Sequence, residues 1–134
     1  MDQTDKIREF FEKDRFATEN GMVIDSVGEY TATCSMEVTS RHMNAVGNVM
    51  GGVYFTLADF TFAVATNHER PGIVSLSSTI NFHSVAKGKK IICTANKIKH
   101  GKTTCSYEMT VTDENGTLLA TVLTTGYDTA SGKH

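Results

Sequence analysis

Long apolar runs, paired cysteines, proline and, over one long stretch, acidic residues are what this sequence has little of. No run approaches the roughly 18 apolar residues that a membrane-spanning helix requires. The opening MDQTDKIREFFEKDRF is charged throughout and lacks the apolar stretch of a secretory leader, so a soluble, cytoplasmic chain is expected. Cys34, Cys93 and Cys105 are odd in number, form no C-x-x-C pair and fall in strand-like segments. They read as buried, reduced thiols, which leaves no disulfide framework and no metal site to expect. No repeat, low-complexity tract or linker divides the 134 residues, and 40% hydrophobic with 21% charged residues is globular composition. One domain covering 1–134 is expected.

The acids are absent from Arg70 to Tyr107, where Arg70, Lys87, Lys89, Lys90, Lys97, Lys99 and Lys102 all fall. Two readings stay open for this segment. The lysines either line solvated strand faces and guard sheet edges, or form a patch that meets an anion such as a phosphorylated cofactor. Nucleic acid fits poorly, because the net charge is −2 and no aromatic platform is interleaved with the lysines.

Periodicity supplies the elements. Ile7, Phe10 and Phe11 recur at helical spacing among charges, which predicts a short amphipathic helix over about 5–15. A short strand around 22–27 follows, and then EYTATCSMEV alternates with Tyr30, Ala32, Cys34, Met36 and Val38 on one face. The segment from about Gly51 to Asn67 is apolar nearly all round, which predicts a buried helix, ended by Pro71. IVSLSSTINF, KKIICTANKIK, TTCSYEMTVTD and TLLATVLTTGYD are strand signals, the last three joined closely enough to form an antiparallel meander. The expected class is α+β: a curved antiparallel sheet of five to six strands wrapped around a central α-helix, with a short N-terminal helix.

Within HMNAVGNVMGGVYFTLADF, residues 42–60, a single carboxylate, Asp59, interrupts the apolar helix. An ionised carboxylate in an apolar setting is costly unless paired, and its pKa rises. Asp59 is therefore either a core residue satisfied by a neighbouring hydroxyl or amide, or a group used in chemistry. The Gly51–Gly52 pair at the helix entrance favours the second reading. Glycines permit close approach, and unpaired N–H groups at a helix N-terminus suit a developing oxyanion. A base or nucleophile with an oxyanion cradle is the minimum equipment for acyl transfer. Eight residues separate Gly51 from Asp59, roughly 12 Å along a helix, too far for both to act on one carbonyl from one subunit. Cooperation then requires a homodimer with antiparallel helices across a two-fold axis.

The pattern H-x-N-x-x-G-x-x-(H)-G-G-x-x-x-x-L-x-D, here HMNAVGNVMGGVYFTLAD, resembles the hotdog-fold acyl-CoA thioesterases of the PaaI type, over about residues 20–128. The resemblance implies hydrolysis of acyl-CoA without metal or organic cofactor, by dimers that often pair into tetramers. It implies Asp59 as general base or nucleophile, Gly51 as the backbone donor to the thioester carbonyl, Asn44 as a positioning residue, and Ser75 as a hydroxyl that orients water near the carboxylate. Asn44 also reads as an Asx-turn and Ser75 as a plain strand serine. Gly52, His42, Asn81 and Phe82 join Met50 as candidate substrate-binding positions, with Lys87, Lys89, Lys90 and Lys102 for the phosphates of coenzyme A. Met50 departs from the family, since many relatives carry His there and a thioether donates no hydrogen bond. That departure motivates an alternative, a non-catalytic acyl-CoA-binding or regulatory protein. Phe55, Phe60, Phe62 and Phe82 are candidates for the acyl pocket, though such residues also build cores. Neither a G-x-S-x-G elbow nor a P-loop is present.

Overall fold

The computed structural model describes residues 2–130. Asp2 opens helix α1 (Gln3–Phe11), its carboxylate accepting the Asp5 N–H at 2.8 Å. Ile7 and Phe11, four residues apart, are buried, while Phe10 faces solvent. The helix expected to run to about residue 15 instead stops at Phe11, and a second short helix, α2 (Arg15–Thr18), follows. The turn geometry explains the break. Buried Ala17 lies six residues after Phe11, roughly 240° around a continuous helix, so only a change of axis brings both inward.

Strands β1 (Val23–Gly28) and β2 (Thr31–Glu37) form a hairpin, and helix α3 (Gly51–Asn67) follows a loop. Then come β3 (Ile73–Phe82), β4 (Lys90–His100), β5 (Thr104–Asp113) and β6 (Leu118–Asp128). The sheet order is β1-β2-β4-β5-β6-β3, antiparallel throughout. The meander β4-β5-β6 occupies the middle, and the chain crosses the sheet through α3 before laying β3 along the far edge.

One face of the sheet receives α3. In register across it stand Cys34, Cys93, Val111 and Ala120, and beside them Ala32, Ala95, Met109 and Val122, all buried. The small residues at the centre let the helix sit close, with Leu57, Ala58, Thr61, Phe62 and Val64 filling the space. The three cysteines are free and buried, as their spacing implied. Desolvation pushes the opposed Cys34 and Cys93 thiols up to about 12, so they behave as small apolar residues.

Two expectations about surfaces change. The lysines do not guard edges: Lys90, Lys97 and Lys99 lie on interior strand β4, whereas the edge strand β3 carries no charge at all and exposes Leu76 (60%) and Phe82 (57%). Helix α3 is also not buried all round. Gly52, Phe55 and Asp59 are exposed, and Val53, Thr56 and Ala63 only half-buried, so one stripe faces away from the sheet. Among the described residues no helix is long and apolar enough to cross a membrane.

Candidate active site

The loop before α3 is built by its own polar side chains. The Thr39 N–H donates to His42 Nδ1 at 2.9 Å, which leaves the ring proton on Nε2, 3.2 Å from the Asn20 carbonyl. Both ring nitrogens of buried His42 are thereby engaged, and its main-chain carbonyl accepts the Met50 N–H at 2.9 Å. His42 thus pins the loop while also lining a cleft of about 240 Å3 beside Met50 and Gly52. Asn44 forms the Asx-turn, its Oδ1 accepting the N–H groups of Val46 and Asn48 at 3.0 Å each. Its Nδ2 has no partner among the described residues.

This loop delivers Met50 to the N-cap of α3 in an extended conformation (φ −64°, ψ 138°), where its side chain caps nothing and is 57% exposed. The Val53 N–H is taken by the Met50 carbonyl at 2.9 Å. The Gly51 and Gly52 N–H groups find no acceptor among the described residues, which leaves two donors and the positive end of the helix dipole at one point. A Cβ on Gly51 would lie 3.1 Å from the Phe82 ring, so glycine is what allows that ring to cover the helix entrance.

Tyr54, in the first turn of α3, accepts the Ala86 N–H at 3.1 Å through its hydroxyl. That bond ties the β3–β4 connection, which carries Lys87 and Lys89, to the Tyr54 side chain. Glu114 fastens the same connection by accepting from the Lys89 and Lys90 N–H groups at 2.8 and 3.2 Å, contacts that hold its carboxyl below the usual range. Lys102 lies elsewhere. It follows His100 at the other end of β4, an 11-residue strand, roughly 30 Å long. The basic segment is thus divided between two ends of the sheet.

Asp59 sits on the exposed stripe of α3, in a cleft of about 290 Å3 lined also by Asp14, Phe16, Thr56, Phe60 and Ala63. The carboxylate expected inside the core is open on one side, because the helix turns this face away from its own sheet. Partial burial among these groups pushes the Asp59 carboxyl up, the negative charge of Asp14 adds to the rise, and a hydrogen bond from the Ser75 side chain works the other way. Ser75 reaches Asp59 from a β-bulge: the β3–β6 register slips between Ser75 and Ser77, opposite Gly126. Bulges re-aim side chains next to sites in this manner.

The structure therefore brings Asp59 and Ser75 together, and separately gathers Gly51, Gly52, Met50 and Phe82, while Lys89 and Lys90 are held by their main chain against Glu114. Asn81 is exposed on β3, paired in register with Thr121. Of the candidate pocket aromatics, Phe62 is core, packed edge-on to Tyr107 at 5.6 Å, whereas Phe60 lines the cleft. Asp14 and Phe16 were not legible as site residues, since nothing in a charged N-terminal segment marks where it folds back.

Comparison with known proteins adds to this geometry. The family model described as Thioesterase superfamily matches residues 46–120, which contain Gly51, Asp59 and Ser75. The chain belongs to the thioesterase superfamily. It is similar to the acyl-coenzyme A thioesterase PaaI of Escherichia coli, 31% identical over 105 residues, covering 78% of this chain and 75% of that protein. It is similar also to human acyl-coenzyme A thioesterase 13, 37% identical over 92 residues and 65% of each chain, and to a putative esterase of Archaeoglobus fulgidus, 31% identical over 72% of this chain and 63% of that protein. The last two alignments span a little under two thirds of the relatives' lengths. The structure of the E. coli PaaI protein from the phenylacetic acid degradation operon superposes with a TM-score of 0.86 and 26% identity, over 95% of this chain and 96% of that one. The likeness establishes the hotdog fold for this thioesterase superfamily member.

Proposed function

We propose that this thioesterase superfamily member hydrolyses an acyl-CoA thioester to a free acid and coenzyme A, at a site shared by two subunits. The observation that carries the reading is the placement of Asp59 on the exposed stripe of α3, two turns from the unpaired Gly51 and Gly52 N–H groups at the helix entrance. A second subunit, packed with its helix antiparallel, brings its Gly51 to the first subunit's Asp59. The uncharged edge of β3, with exposed Val74, Leu76 and Phe82, and the uncovered stripe of α3 supply the self-complementary surface that a two-fold dimer needs. Pairing of such dimers into a tetramer belongs to the same proposal.

In this site Asp59 removes a proton from water, or attacks the thioester carbon itself, and Ser75 holds the water or the carboxylate in place. The Gly51 N–H receives the developing oxyanion, and Asn44 helps to position the reacting group. Lys87, Lys89 and Lys90 meet coenzyme A phosphates at the helix entrance, and no metal or organic cofactor takes part. The names of the E. coli and human relatives support the acyl-CoA substrate. Exposed, non-capping Met50 motivates the second reading, an acyl-CoA-binding protein without turnover.

Steady-state hydrolysis of an acyl-CoA panel decides between them. Asp59→Asn lowers kcat by about 10²–10⁴-fold if Asp59 is the base, while calorimetric binding of the CoA ester persists. Equal rates for the two proteins would remove Asp59 from the mechanism, and binding without turnover in the unaltered protein would establish the second reading.

A further inference from the structure

Among the described residues Phe60 alone lines both the Asp59 cleft and a second groove, of about 520 Å3, between α1 and β1. The floor of that groove is apolar, formed by buried Phe11, Met22 and Ile24, and its rim carries Asp5, Arg8 and Glu9. Arg8 holds the gap at fixed width, because its guanidinium donates to the Ile24 carbonyl at 3.0 Å and pairs with Asp5 at 3.0 Å. Phe60 meets Phe11 edge-on at 6.3 Å, so its ring stands as a partition between the two spaces. On the Asp59 side, Phe16 of α2 is 74% exposed over the same cleft, an apolar surface that the other described residues leave open.

We propose that Phe60 is the acyl-length stop of this site. The tail of a thioester whose carbonyl lies at Asp59 runs under Phe16 and ends against the Phe60 ring, and the α1–β1 groove behind it is apolar volume reached only when that ring is smaller. The proposal rests on the thioesterase reading for the position of the carbonyl. The occupant follows from the chemistry of the walls: a hydrocarbon tail gains from Phe16, Phe60, Phe11 and Met22, whereas a polar or charged group finds no buried partner on either floor. The substrate class of the unaltered protein is accordingly a short acyl group.

The test is the length dependence of kcat/KM for butyryl-, octanoyl-, dodecanoyl- and palmitoyl-CoA in the unaltered protein, Phe60→Ala and Phe60→Leu. Each methylene that finds apolar surface is worth about fourfold, so kcat/KM climbs with length and then stops in the unaltered protein. Phe60→Ala carries the climb further, raising the dodecanoyl-to-butyryl ratio about tenfold or more. Phe60→Leu moves the ratio in the same direction by less, and decides the matter should the alanine variant not fold. An unchanged ratio in the folded variants overturns the proposal and leaves the thioesterase reading intact. If the unaltered protein hydrolyses none of the esters, that reading falls. Calorimetric affinities for S-alkyl-CoA thioethers of the same lengths then decide, a shifted length profile supporting the stop and an unshifted one overturning it.

Discussion

The two ends of helix α3 differ in what becomes of their polar groups. At its C-terminal end the polar groups close on one another. Asn67 clamps Ile73, accepting its N–H at 2.8 Å and donating to its carbonyl at 3.1 Å, and His68 Nε2 lies 3.0 Å from the Gly28 carbonyl. Arg70 pairs with Asp128 at 2.9 Å, and the Tyr107 hydroxyl lies 2.7 Å from Nδ1 of His100, whose pKa burial and Lys97 push down. At the N-terminal end, Gly51 and Gly52 keep their N–H groups unspent, Met50 caps nothing, and Phe82 stands exposed over the entrance. Satisfied polar groups hold a fold together. Unsatisfied ones at an open helix end are what a reaction can use.

The largest expected effect breaks the N-terminal half of this contrast. Gly51 is the first helical residue, a position that tolerates proline, and Met50 before it is already extended. Gly51→Pro deletes the N–H while Gly51→Ala retains it, and both set a Cβ against the Phe82 ring. Their ratio of kcat values isolates the donor, and the proline variant is expected to be slower by about 10²–10³-fold. Equal rates would move the oxyanion site elsewhere.

At the satisfied end the expected loss is of stability. Asn67→Ala strips both partners from Ile73 at the start of β3, a cost of about 1–3 kcal/mol, seen as a midpoint shift in denaturant with kcat little changed. A large loss of kcat at unchanged stability would place function at both ends.

The smallest effect sharpens the electrostatics at Asp59. Asp14 raises the Asp59 pKa by like-charge repulsion, so the ionised base is lost at higher pH than it would otherwise be. Asp14→Asn removes that repulsion, lowers the Asp59 pKa and moves the acid limb of the kcat/KM profile to lower pH. An unmoved limb, or one moved to higher pH, would remove Asp14 from the environment of the base.

The elements were legible because their signals are local. The helix expected over about Gly51 to Asn67 runs from Gly51 to Asn67, and the β4-β5-β6 meander follows from its short connections. The N-terminal helix was legible in kind but not in extent, since its break at residues 12–14 serves Ala17, a contact with the body of the domain. Asp59 stood out as an anomaly, but its surroundings did not. A carboxylate in an apolar helix reads as buried, whereas here the helix offers that stripe outward and the apolar neighbours come from α2. The lysine segment illustrates the same limit: seven cations close in sequence are parted by the length of a strand.

The sequence by itself determined the α+β class, the central helix with its glycine entrance and lone carboxylate, the free thiols and the family pattern, because each rests on periodicity, residue chemistry or spacing along the chain. Only the tertiary structure decided that β3 ends on an uncharged free edge, that Ser75 reaches Asp59 from a bulge, that Asp14 and Phe16 fold back over the same carboxylate, and that Phe60 lines both the Asp59 cleft and the α1–β1 groove. Those relations join residues far apart in sequence, and the packing of α1, α2 and β3 around one helix is what brings them within contact distance.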